Sequence, residues 1–156
     1  MAMKLTPEAI RELFEGMVGR SVAVNPAKPL LVLGKQQWIL GVYDDDDNAL
    51  AGAALADVSL ANFAGAALAL VPPERAQSGA TEGSLSEELS ANFYEILNVG
   101  ASLYPAAGGP HVRLVKMTTD QPKSAIVKLI RKPKSRTDVT IKVEGYGQGR
   151  ITFVAA

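Results

Sequence analysis

Apolar residues recur along this chain at two periods, and the change from one to the other marks out its elements. Near the N-terminus Ile10, Leu13, Phe14, Met17 and Val18 fall at helical spacing. Thr6-Pro7-Glu8 in front of them supplies a cap, a proline for the first helical position and an acid near the positive end of the dipole. Gly19 can end that helix. Ser21 to Val24 reads as a short strand, broken by Asn25-Pro26 and Lys28-Pro29. Leu30 to Leu33, Gln37 to Tyr43 and Ala49 to Ala56 also read as strands. The last two form an antiparallel pair around the turn Asp44-Asp45-Asp46-Asp47-Asn48. A second helix is expected over about residues 60–71, capped by Asp57 or Ser59, and Arg75 to Gly83 reads as a connector.

The most regular segment is central. Ser84-Leu85-Ser86-Glu87 has the pattern of a capping box, and the helix it opens is expected to run to about Tyr104, before Pro105 and Gly108-Gly109. Beyond it the period shortens. Val112 to Met117, Ala125 to Ile130, Val139 to Val143 and Ile151 to Val154 read as strands, with Val139, Ile141 and Val143 alternating with Thr140, Lys142 and Glu144. The expected fold is α+β: a mixed, mainly antiparallel sheet packed with a long central amphipathic helix plus two shorter helices, in one domain over residues 1–156.

Composition narrows the chemistry. Sixteen basic and sixteen acidic residues cancel, so bulk charge points to neither a nucleic acid nor a membrane surface as partner. The absence of cysteine removes thiolate chemistry and fits a reducing, cytoplasmic setting. The apolar run Ala61 to Val71 is too short to span a bilayer, and no membrane insertion is expected. The four aspartates lack the spacing of a calcium loop and read as a solvated turn. The basic stretch from Lys123 to Arg136 has no interleaved aromatics and reads as a solvated hairpin tip. His111 reads as a surface histidine, Trp38 as core or interface, and Gly145-Tyr146-Gly147 as a hairpin turn.

On a helical wheel the central segment divides in two. Leu85, Leu89, Phe93, Ile96, Leu97, Val99 and Leu103 gather on one side, and Glu88, Ala91, Glu95, Asn98 and Ser102 on the other. Glu95 and Asn98 are neighbours one turn apart. The carboxylate can take a partner's lysine, and the amide can both donate to and accept from a water. Ala91 and Ser102 leave room for another protein's surface. A solvated helix face remains the alternative for a pair of this kind.

Glu95-Ile96-Leu97-Asn98-Val99-Gly100-Ala101 resembles the signature helix of the CheC/CheX/FliY phosphatases of bacterial chemotaxis, and the single Glu-x-x-Asn is CheX-like. The order of elements is similar over most of the chain. The resemblance implies a CheC-like fold and a CheY-like response regulator as partner. Asn98 then positions the water that attacks the regulator's aspartyl phosphate, and Glu95 docks on its lysine. Glu88, Ala91 and Ser102 line the contact. No cofactor is expected on this chain, the magnesium belonging to the regulator. Ala91 stands where the family often has serine or aspartate, and Pro122 is the candidate for its downstream proline. A homodimer through sheet contacts is compatible with the family. A catalytically silent module on the same scaffold, binding a signalling or flagellar-switch partner, is the alternative function.

Overall fold

A computed structural model describes residues 5–29, 38–104 and 111–156. The strand expected at Leu30–Leu33, residue Gln37 and the turn Pro105–Pro110 lie outside the described residues. Helix α1 spans Pro7–Val18; Thr6 Oγ1 accepts from the Ala9 N–H, and Gly19 closes it in the left-handed conformation at φ 68°. Strand β1 is Val22–Pro26, β2 is Trp38–Asp45 and β3 is Leu50–Asp57. Between β2 and β3, Asp45 Oδ1 accepts from the N–H groups of Asp47 and Ala49, while Asn48 takes φ 61°. The aspartate run is therefore used to turn the chain. Among the described residues no three acidic or histidine side chains gather as metal ligands.

Helix α2, Val58–Leu68, starts on Asp57, whose Oδ1 accepts from the Leu60 N–H. Helix α3 is Pro73–Glu82, α4 is Glu87–Val99, and a 3-10 turn, Gly100–Leu103, follows α4. Strand β4 is Val112–Thr118, α5 is Ser124–Arg131, β5 is Ser135–Val143 and β6 is Gly147–Ala155. The six strands form one antiparallel sheet in the order β1-β5-β6-β3-β2-β4. The fold is thus α+β, with an antiparallel sheet against a helix layer, as the sequence predicts. No described helix is long and apolar enough to cross a membrane.

The central strands of the sheet are buried on both faces. Ile39, Tyr43, Ala54 and Ala56 of β2 and β3 pack with α1, α2 and α4 in the main core. The alternate residues Leu40, Val42, Ala53 and Leu55 pack on the opposite face against Leu129 and Ile130 of α5. A strand buried on both faces needs an apolar run rather than an alternation. The edge-side strand β5 keeps the alternation, with Val139, Ile141 and Val143 inside.

Three elements differ from expectation. The connector Arg75–Gly83 is the helix α3: Pro73 sits at its start, Gly83 caps it at φ 69°, and buried Ala76 faces inward. Its serine, glycine and threonine residues mask that punctuation. Residues Ala125–Ile130 form part of helix α5 instead of a strand. Ile126, Leu129 and Ile130 fall three and four apart, which suits a helix covering the second face; that packing overrides the β-propensity of Ile126 and Val127. The central helix is shorter than residues 84–104. Ser86, not Ser84, caps it through the Leu89 N–H, and its end tightens into the 3-10 turn. Four further α-helices, rather than two, accompany it among the described residues.

Helices α2 and α4 touch backbone to backbone. A Cβ on Gly65 would lie 2.7 Å from the Leu89 carbonyl oxygen. Gly65→Ala should therefore destabilise the fold by about 1–3 kcal/mol, as an overpacking change does. Gly16→Ala, on α1 with nothing within 4 Å, should be neutral or slightly stabilising. Denaturant midpoints of the two variants check this; equal midpoints would contradict the close crossing. Asp57 gives a second test. Burial raises its carboxyl above the ordinary value, partly offset by the Leu60 and Arg150 N–H groups and the Arg150 charge. A carboxyl raised in the folded state favours folding most at low pH, and that contribution is lost as pH rises through the folded value. Compared with Asp57→Ala, the parent's stability should show this extra decline through the carboxylate range in denaturant titrations at stepped pH. Parallel curves would rule it out.

Candidate functional site

The face of α4 turned to solvent is built by what the other face is made to do. Leu89, Phe93, Ile96 and Leu97 are buried and pull the helix onto the sheet and α2. Asn92 Nδ2 donates to the Gly65 carbonyl at 2.9 Å, fixing α4 along α2. Buried Asn62 of α2 donates to the Val58 and Ser84 carbonyls, both at 2.9 Å, which holds the approach to α4.

The C-terminal end of α4 is held from the sheet. The Tyr43 hydroxyl donates to the Leu97 carbonyl at 2.6 Å, entirely buried. Gly100 lies over it, where a Cβ would meet that hydroxyl at 3.0 Å. Tyr104, just past the 3-10 turn, bonds through its hydroxyl to the Val154 and Ala53 carbonyls and stacks at a tilt on Tyr43, centroids 5.0 Å apart. Burial pushes both phenols well above their ordinary range, so both remain neutral donors. Asn98 is one residue from the carbonyl so held, and its backbone position follows from that bond.

Glu88, Ala91, Glu95, Asn98 and Ser102 are all exposed, and the wheel's polar side is the solvent side. They differ in how far they are engaged. Glu88 pairs with Arg75 of α3 at 2.9 Å. Glu95 and Asn98 make no side-chain hydrogen bond or ion pair with any described residue. They stand one turn apart with their carboxylate and carboxamide uncommitted. One apolar assignment changes: Val99 is 43% exposed and lies at the rim of this face. A shallow depression of about 380 Å³ between α4 and β4, lined by Leu85, Glu87, Ser90, Ala91, Tyr94 and Met117, flanks the Ala91 end.

Alpha 4 carries Glu87, Glu88 and Glu95 and no cation. Its face therefore suits a cationic group on a partner. The Arg75–Glu88 pair is a contact that sequence reasoning missed, because it depends on α3. Pro72-Pro73-Glu74 before and Gly83 after are the signals that could have revealed that helix.

No protein-family model and no curated relative matches the chain. Solved structures do. A chain of the FliM–SpeE complex from H. pylori superposes with a TM-score of 0.61 at 10% identity, covering 96% of this chain and 80% of that one. The FliM middle domain from Vibrio alginolyticus does so with a TM-score of 0.60 at 12% identity, covering 95% and 86%. A chain of the H. pylori FliG–FliM complex gives 0.50 at 10% identity, covering 96% and 85%. The chain has the fold of the FliM middle domain, an α+β architecture as the sequence predicts.

The tyrosine clamp has a measurable value. Tyr43→Phe leaves the Leu97 carbonyl buried without its donor and should cost about 1–3 kcal/mol. Amide exchange should accelerate selectively over the last turn of α4 and the 3-10 turn. Exchange that rises uniformly, or not at all, would show that the hydroxyl does not hold this end.

Proposed function

We propose that this chain docks a phosphorylated CheY-type response regulator on the exposed face of α4 and promotes hydrolysis of its aspartyl phosphate. The observation that carries this reading is the pair Glu95 and Asn98, exposed together, without a side-chain partner among the described residues, and held on a helix fixed at its middle by Asn92 and at its C-terminal end by Tyr43. Glu95 takes the regulator's lysine. The Asn98 carboxamide accepts a hydrogen bond from a water and aims its oxygen in line at phosphorus. The water oxygen bonds to phosphorus as the P–O bond to the aspartate breaks, and the water's proton passes to a phosphoryl oxygen, giving inorganic phosphate and a free carboxylate. Magnesium on the regulator supplies the charge stabilisation, and this chain contributes orientation. The resemblance of Glu95 to Ala101 to the CheC/CheX/FliY signature supports these roles, and the FliM-type fold is compatible with them.

The fold also supports a second reading. FliM structures with this fold were solved in complexes with SpeE and with FliG. On that reading α4 binds a flagellar-switch or signalling partner without hydrolysis, and Glu95 keeps its task while Asn98 has none.

Incubation with phosphorylated CheY-type regulators from the source organism separates the two. Faster phosphate loss is expected. Asn98→Ala should reduce the accelerated rate by about 100-fold or more with binding retained. Glu95→Ala should weaken docking by about tenfold. Binding with an unchanged phosphate lifetime would assign the silent module. No binding to any such regulator would remove both the partner and the reaction.

A further inference from the structure

The second face of the sheet carries a feature the α4 site does not use. Helix α5 lies on that face with Leu129 and Ile130 turned into it. Beside α5 opens a groove of about 600 Å³. Leu50, Ala125 and Leu129 give its lining apolar surface, and Lys128, Arg131 and Lys132 line it with cations. We infer that this groove is a docking site for an acidic, amphipathic polypeptide segment of a partner protein.

Charge identifies the occupant. From Gln121 to Thr137 the chain has six cations and no acid. The next acid, Asp138, is already engaged: it accepts from Arg136 Nε at 3.0 Å and from the Thr152 hydroxyl at 2.5 Å. Arg136 itself also donates to the Ile130 carbonyl at the end of α5. Lys123, Lys128, Arg131, Lys132 and Lys134 make no ion pair with any described residue. A neutral chain thus concentrates unneutralised positive charge around one apolar recess. Carboxylates on a partner supply the missing charge, and apolar side chains meet the apolar lining.

The same residues disfavour other polyanions. No aromatic lies between Gln121 and Thr137 to stack on bases. Of the apolar residues of α5, Ile126, Leu129 and Ile130 pack on the sheet, which leaves only the small side chains of Ala125 and Val127 to meet a bilayer. A recess with apolar lining receives apolar side chains, which a peptide presents and a phosphate backbone does not.

Fluorescence anisotropy with the whole chain tests the inference. The probe is a labelled synthetic helix with leucine at i, i+3, i+4 and i+7 and glutamate at the other positions. It should bind, and weaken by about tenfold when salt rises from roughly 50 mM to roughly 0.5 M, where surface charge is screened. A peptide of the same composition with scrambled leucine spacing should bind at least about tenfold more weakly, as should one with lysine for glutamate. Lys128→Glu with Lys132→Glu, or Ala125→Glu alone, should reduce affinity by a similar factor; thermal melts establish that these exposed-site variants fold. Asn98→Ala should leave it unchanged, which separates this groove from the α4 site. Equal binding of the scrambled peptide, or no binding, overturns the inference. So does Lys128-dependent binding to phosphatidylglycerol vesicles or duplex DNA in place of the peptide.

Discussion

Close packing over β3 is the constraint on which the rest of the structure depends. This strand lies inside the sheet with helices on one face and α5 on the other. Tyr104 closes onto it as well: a Cβ on Gly52 would sit 2.3 Å from the Tyr104 ring and 2.6 Å from the Val154 carbonyl oxygen. Small residues at Gly52, Ala53, Ala54 and Ala56 are what let three layers approach at once. Tyr104 then reaches the Ala53 and Val154 carbonyls, Tyr43 packs against it, and the end of α4 is set by the Tyr43 hydroxyl. The proposed site inherits its rigidity from a strand that contributes no residue to it.

Rigidity is divided unevenly over α4. Its buried residues, Asn92 and the Leu97 carbonyl are all engaged with the body of the protein, and Glu88 is engaged with α3. Glu95 and Asn98 have no side-chain partner among the described residues and remain open to one on another protein. A helix held in this way presents side chains at small entropic cost to its backbone, which is the condition for binding by position. The cationic groove lies on the other side of the sheet, away from these acids. The zero net charge of the chain therefore conceals two surfaces of opposite character.

Much of the fold was legible because its elements obey local rules. Thr6-Pro7, Asp57 and Gly19 act where capping chemistry places them, and the aspartate run turns the β2–β3 hairpin. The wheel put Glu88, Ala91, Glu95, Asn98 and Ser102 on the outside because a helix on a sheet has only one buried side. What was not legible depends on contacts distant in sequence. Ile126, Val127 and Ile130 favour a strand locally, and only the apolar second face of the sheet makes α5 the better solution. Val99 falls on the apolar arc, yet the helix ends there and the residue overhangs the rim. The bond from Tyr43 to Leu97 joins residues 54 positions apart, and no spacing rule announces it.

The contact between Gly52 and Tyr104 also bears on how such a chain can change over time. The two positions share one volume, and the ring already occupies the space that a methyl on Gly52 would need. An increase at 52 is therefore blocked twice, by the ring and by the Val154 carbonyl oxygen; a decrease at 104 removes only the first obstacle and gives up the hydroxyl that binds the Ala53 and Val154 carbonyls. Either step alone passes through a less stable chain, so the pair is coupled in any mutational path. Exposed residues on α4 and α5 carry no such linkage. Partner specificity can drift on both surfaces while the joint between them stays locked.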